Sequence, residues 1–193
     1  MAKIFSEKEF IESNKDILYE RDKILNSSDL FIAYALKPDS IRKESVEISE
    51  ILNKITKNPI IYEEYREKGG SGGDILVRAV IYGLVIIFSI SLRTFLEELS
   101  KDTYDYLKAK LTRLKKTKLK REKILISFNL GKGSLHFVFN PYLSEQEFDK
   151  AFESLRITLK GIIESEIFAG TDLIEFIFDN KRERWIIEYD KKI

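Results

Sequence analysis

Ala79-Val80-Ile81-Tyr82-Gly83-Leu84-Val85-Ile86-Ile87-Phe88-Ser89-Ile90-Ser91-Leu92 carries no charge, and Arg78 and Arg93 bracket it. How this run folds decides the architecture. Downstream of it Leu92, Leu96, Leu99, Thr103, Tyr106 or Leu107, Leu111 and Leu114 keep a three-four spacing, the apolar stripe of a helix. The simplest reading joins run and stripe into one long helix from Asp74, a fair N-cap, to about Lys118, with a break near Ser100 as the variant. Unbroken, it would span about 45 residues and about 68 Å. That exceeds one small core, so part of it should project or pack on a partner.

The fourteen uncharged residues would cover about 21 Å of helix, against about 30 Å for the hydrocarbon of a bilayer. Burial all round, in a core or an oligomer interface, is the plain reading. Its candidate interface residues are Val80, Ile81, Leu84, Val85, Ile87, Phe88 and Leu92. A membrane role for the same residues is the alternative: a single span at the inner membrane, extended to Ile75 with Arg78 snorkelling, or a shallow peripheral attachment.

Beyond the stripe lies a basic block. Lys108, Lys110, Arg113, Lys115, Lys116, Lys118, Lys120, Arg121 and Lys123 face one acid, Glu122, within sixteen residues. The whole chain of 193 residues has a formal charge of only +1, with 33 Lys and Arg against 32 Asp and Glu. Residues 101–123 alone carry a net +7, while 1–68, 69–100 and 124–193 are each mildly acidic. Clustered Lys and Arg can hold nucleic-acid phosphate or anionic lipid by counterion release. They can equally bind an acidic protein surface, including that of the same chain. Single-strand recognition would also want stacking aromatics, and Tyr104 and Tyr106 are the nearest. No zinc-finger, helix-turn-helix or RNA-recognition-motif signature accompanies the block.

On the N-terminal side, Gly69-Gly70-Ser71-Gly72-Gly73 reads as a flexible linker. It lacks the Gly-Lys-Ser/Thr ending of a phosphate loop. Before it, residues 6–26 read as a helix, from the capping-box pair Ser6 and Glu9 and the apolar pairs Phe10/Ile11, Ile17/Leu18 and Ile24/Leu25. Leu30 to Leu36 is a continuous apolar run that periodicity cannot assign to strand or helix. A further helix begins near Asp39 or Ser40, with Ile41, Ser45, Ile48, Leu52 and Ile55 on one face. Ile60-Ile61-Tyr62 has the makings of a short strand.

Residues 124–193 read as a ββαββ unit. Ile124, Ile126, Phe128 and Leu130 alternate, Gly131-Lys132-Gly133 turns, and Leu135, Phe137 and Phe139 alternate back. Ser144 and Glu147 form another capping box, opening a helix with Phe148, Ala151, Phe152, Leu155, Leu159, Ile162 and Ile163 on one face. Ile174, Phe176 and Phe178, a turn at Asp179-Asn180-Lys181-Arg182, and Trp185, Ile187 and Tyr189 complete it. The expected fold class is therefore α+β. It comprises a helical N-terminal region (1–68), a Gly-rich linker (69–73), a long apolar-then-basic helix (74–123) and a C-terminal antiparallel sheet with a helix on one face (124–193).

Chemistry finds few residues to work with. Cys is absent and His136 stands alone, which excludes a disulfide scaffold and a Cys-ligated zinc site. His136 falls between Leu135 and Phe137, on the other face of its strand, where a surface histidine is the expectation. There is no nucleophile elbow. Asp172, Glu175 and Asp179 flank one strand without a metal-site spacing. Pro38-Asp39 lacks the Glu-x-Lys that a restriction-type nuclease would require, and Asp179-x-Lys181 and Asp190-x-Lys192 fall at a turn and at the terminus. No catalytic residue, cofactor, metal or small-molecule substrate is indicated. The N-terminus carries no apolar secretory core, so a cytoplasmic location is expected.

The order of features from the second helix onward resembles the effector-associated constant component family of bacterial conflict systems. The parts that carry the likeness are Ile48 to Ile55 with Pro59, Ile60 to Tyr62, Gly69 to Gly73, Val77 to Leu96 and Lys108 to Lys123. The glycine-turn hairpin about Gly131-Lys132-Gly133 and the helix from Ser144 complete it. The likeness is one of layout and covers about 110 residues; Glu97, Glu98, Asp102 and Asp105 depart from it. It implies a non-catalytic accessory module that accompanies varied effectors. The function expected from the chain is thus an adaptor or accessory subunit acting through protein–protein contact or as a homo-oligomer. Membrane association through residues 79–92, or nucleic-acid binding by residues 108–123, is the alternative.

Overall fold

The computed structural model describes residues 3–6, 30–34, 38–53, 55–56, 59–63, 84–119, 122–129, 133–165 and 173–188. They form eight strands and four helices. The strands are β1 (Lys3–Ser6), β2 (Leu30–Tyr34), β3 (Ile60–Glu63), β4 (Leu84–Phe88), β5 (Ile124–Asn129), β6 (Ser134–Phe139), β7 (Leu173–Asp179) and β8 (Arg184–Ile187). The helices are α1 (Pro38–Leu52), α2 (Leu92–Glu98), α3 (Lys101–Thr117) and α4 (Glu145–Ser165). All eight strands join one mixed sheet in the order β1-β3-β2-β4-β5-β6-β7-β8.

The apolar run at the centre of the sequence is a strand. Leu84 to Phe88 pair antiparallel with β2 on one side and parallel with β5 on the other, and all five residues are buried. The expected long helix is therefore corrected to a strand followed by two helices. Val85, Ile86 and Ile87 are β-branched and lose side-chain freedom in a helix, whereas a sheet buried on both faces accepts an unbroken apolar run. Ser91 and Ser100 then open α2 and α3 by accepting hydrogen bonds from the backbone N–H of Thr94 (3.0 Å) and Thr103 (3.2 Å). The break foreseen near Ser100 is thus a cap. The part of the run at residues 79–83, and the linker at 69–73, lie outside the described residues.

Three helical connections each join parallel neighbours. α1 links β2 to β3, α2 and α3 link β4 to β5, and α4 links β6 to β7. A parallel pair needs such a crossover, because a tight turn can only reverse the chain. The ββαββ order of the C-terminal region stands, but its sheet is not purely antiparallel: the crossover α4 makes β6 and β7 parallel. Nor is the region before residue 68 simply helical, since it supplies β1, β2 and β3. Leu30 to Leu36, left open by its periodicity, contains β2. The expected helix at 6–26 lies outside the described residues except for Ser6, which ends β1.

All four helices cover one face of the sheet. Ile32, Ile61, Ile86, Ile126, Phe137 and Phe176 lie in register across that face and are buried. Phe88, Phe95 and Phe128 pack ring to ring at centroid distances of 4.8, 4.9 and 5.2 Å, and Phe137 stacks on Phe176 at 4.7 Å. Ser45, Ile48, Leu52 and Ile55 of the expected α1 face are buried as well. So are Phe148, Ala151, Phe152, Leu155, Leu159 and Ile162 of α4. The α4 capping box forms in both directions: Ser144 N–H donates to Glu147 Oε2 (2.8 Å), and Glu147 N–H donates to Ser144 Oγ (3.3 Å).

Candidate functional site

Three places in this frame could carry function: the basic helix α3, a polar row on the opposite sheet face, and the open end of the sheet at β8.

α3 lies between α1 and α4, and both neighbours offer acids to it. Lys110 pairs with Glu47 and Lys118 with Glu44 (3.0 Å), both on α1. Lys108 pairs with Glu153 (2.8 Å) and Lys116 with Glu145 (3.1 Å), both on α4. Thr112 adds a hydrogen bond from its hydroxyl to Asp149 at 2.7 Å. Lys115 is buried, and its ammonium donates to the carbonyls of Pro141 (2.5 Å) and Leu119 (3.2 Å). It therefore closes the loop after α3 onto the loop before α4.

The electrostatics follow the geometry. The hydrogen bond to Glu153 holds the Lys108 ammonium above its ordinary range. Burial pushes Lys115 down. Burial also works against the charge of Glu44, but the hydrogen bond and charge of Lys118 prevail, and its carboxyl lies below the ordinary value. Of the nine basic residues singled out in the sequence, four have acids of the same chain and Lys115 is spent on carbonyls. Arg113 is exposed. Lys123 is half-buried beside β5, and Lys120 and Arg121 lie outside the described residues.

Five of the seven apolar candidates also turn inward. Leu84, Val85, Ile87, Phe88 and Leu92 are buried in the sheet or against it; Val80 and Ile81 lie outside the described residues. The run cannot be an anchoring helix, because Leu84 to Phe88 are a strand with neighbours on both sides. Among the described residues no helix is long and apolar enough to cross a membrane.

On the sheet face away from the helices, Ser127, His136 and Glu175 stand directly opposite one another on β5, β6 and β7. Ser127 and His136 are each only 2% exposed, which corrects the expectation of a surface histidine. Its placement opposite Leu135 and Phe137 was legible in the alternation. Its burial depended on what covers that face, which the strand pattern does not encode. His136 Nε2 lies 3.2 Å from Ser134 Oγ, two residues back on the same side of the strand. Asp179 serves the β7–β8 turn: its carboxylate accepts from the backbone N–H of Lys181 (2.9 Å) and Arg182 (3.3 Å). Asp172 lies outside the described residues. No group of three or more His, Asp or Glu among the described residues is placed to hold a metal ion.

At the far end of the sheet, β8 has β7 on one side and no strand on the other among the described residues. Trp185 is buried and donates from its indole N–H to the carbonyl of Ala151 (3.0 Å), fixing β8 to α4. Three apolar side chains of β7 and β8 reach solvent: Leu173 (49% exposed) at the start of β7, and Ile186 (37%) and Ile187 (37%) on opposite faces of β8. Leu173 and Ile186 are not among the residues singled out from the sequence. The signal was present: Ile186 is apolar at an outward position between Trp185 and Ile187, where a one-sided strand would carry a polar residue.

No family model matches the chain, no curated protein matches it, and no solved structure matches it.

Proposed function

We propose that this chain is a non-catalytic accessory or adaptor protein that works through protein–protein contact at the β7–β8 end of its sheet. The observation that carries this reading is the contrast between apolar residues inside and at that end. Leu84 to Phe88 are sealed in the sheet, yet Ile186 and Ile187 reach solvent on the two faces of β8, a strand with no second strand neighbour among the described residues. Single exposed apolar residues are ordinary on a protein surface, but a strand edge without a neighbour is a ready place for a partner. The inward pairing of Lys108, Lys110, Lys116 and Lys118 draws support away from nucleic-acid binding, since those charges already have acids.

A photo-crosslinking side chain placed at position 186 tests it, with position 101 at the exposed start of α3 as the control. The expected result in cells is a discrete protein adduct from 186 and none from 101. A monodisperse monomer that yields no adduct at 186 and retains no protein in native, detergent-free purification overturns the proposal.

A further inference from the structure

The edge strand β8 carries its own complement. Its residues Arg184-Trp185-Ile186-Ile187, followed by Glu188, hold opposite charges at the two ends and isoleucine at the centre. We infer that the occupant of this edge is a second copy of the chain, with β8 pairing antiparallel to β8 about a two-fold axis at Ile186. The inference rests on the interaction reading above and names its partner.

Three observations converge. The first is hydrogen-bond parity. Glu188 N–H donates to Glu175 O at 2.8 Å, so Glu188, and by alternation Ile186 and Arg184, turn their backbone groups toward β7. Trp185 and Ile187 therefore turn theirs outward. In an antiparallel pair, directly opposed residues either both exchange hydrogen bonds or both turn away. A two-fold axis at Ile186 sets Trp185 opposite Ile187 of the second copy, outward against outward. It sets Ile186 opposite Ile186, inward against inward. An axis midway between two residues would set outward groups against inward ones and make no ladder.

The second is charge. The same register places Arg184 opposite Glu188 of the second copy, and Glu188 opposite its Arg184. The two pairs are symmetric, attractive and on one face of the joined sheet. A strand protected against pairing would carry like charges or proline here; β8 carries neither.

The third is apolar cover. Ile186 and Ile187 are the exposed apolar residues of β8. In this register Ile186 meets its own copy in the closer type of cross-strand pair, and Ile187 meets the Trp185 side of the other chain. β8 is held for this by Trp185, whose indole is tied to α4. An isologous contact of this kind closes on itself and does not propagate into a filament.

The full chain tests the inference in two independent ways. Because the protein contains no Cys, Ile186→Cys introduces a single thiol. In the proposed register its Cα would lie about 4.5 Å from its symmetry mate, within disulfide range. Mild oxidation should then give a covalent dimer reversed by reductant, whereas Lys101→Cys, on exposed α3, should not. Separately, light scattering over a concentration series should show a dimer of the unmodified chain. Arg184→Glu and Glu188→Arg should each raise its dissociation constant about tenfold or more, since two attractive pairs become repulsive. The double exchange R184E/E188R should restore it to within about threefold. Emission of buried Trp185, the only tryptophan, reports whether each variant keeps β8 in place.

A dimer that tolerates both single reversals, with no disulfide formed by the Ile186→Cys variant, overturns the self-pairing. So does a monomer at all concentrations. If that monomer still forms a discrete adduct with another protein from position 186, the adaptor reading survives and only the identity of the occupant falls. If it forms none, both fall.

Discussion

Leu84-Val85-Ile86-Ile87-Phe88 and Arg184-Trp185-Ile186-Ile187-Glu188 are nearly the same apolar idea with different ends, and they meet opposite fates. The first becomes β4, with a strand on each side and every residue buried. The second becomes β8, with one neighbour, Trp185 buried and Ile186 and Ile187 open. Position in the sheet, more than hydrophobicity, separates a core strand from an edge strand. Phe at one end of β4 continues the aromatic core with Phe95 and Phe128. Arg184 and Glu188 keep the ends of β8 hydrated while leaving its middle apolar.

The largest effects should come from the sealed side. Phe128 sits among Phe88, Phe95 and Phe137 and is fully buried. Phe128→Ala should cost about 3–5 kcal/mol in urea unfolding. Ile86→Ala in β4 should cost about 2–5 kcal/mol. The corresponding Ile186→Ala in β8 should change the stability of the dilute chain by less than about 0.5 kcal/mol. Equal losses at 86 and 186 would erase the distinction between the strands.

Helix ends fall between these extremes. Ser144→Ala removes the hydroxyl that accepts from Glu147 N–H, and should cost about 1 kcal/mol by the same measurement. A loss under about 0.3 kcal/mol would mean that the α4 start is held by its apolar face alone.

The smallest effect concerns the α1–α3 clamp and is visible in acid. The Glu44 carboxyl lies below its ordinary value of 4.5 in the folded chain. Its stabilising contribution is therefore fully present above about pH 4.5 and is lost as the pH falls through the lower folded value. Glu44→Gln should lower the urea midpoint at pH 7 and lower it less, relative to the parent, at pH 3. A gap that is the same at both pH values would deny the ion pair to Lys118 any role. The alkaline limb has two opposed contributors. Lys108, raised by Glu153, loses its contribution as pH climbs past its folded value. Lys115, lowered by burial, favours the fold more as it becomes neutral.

Much of the fold was legible wherever the chain alternates or caps. Phe137 and Phe139 against His136, the α4 face, the Ser144–Glu147 box and the Asp179 turn all follow from local chemistry and recur in the structure. Misreading began at residue 79 because an unbroken apolar run has no period, so its length and the helical stripe beyond it suggested one helix. Only the strands on both sides, β2 and β5, distinguish β4 from a buried helix, and both lie far away in sequence. The candidate site suffered in the same way. Nine basic residues form a visible block in one dimension, yet the acids that pair with four of them come from α1 and α4, more than twenty residues away on either side.

By itself, the sequence determined which segments could make strands and helices, where caps and turns interrupt them, and that Cys and His chemistry is scarce. Those properties depend on backbone geometry and side-chain type over a few residues. The tertiary structure alone decided that one sheet gathers the eight described strands, that four lysines of the basic block pair with acids of the same chain, that His136 is buried and that β8 has a single strand neighbour among the described residues. Each of these depends on partners brought together across long stretches of chain, where burial and pairing energies act without leaving a local pattern.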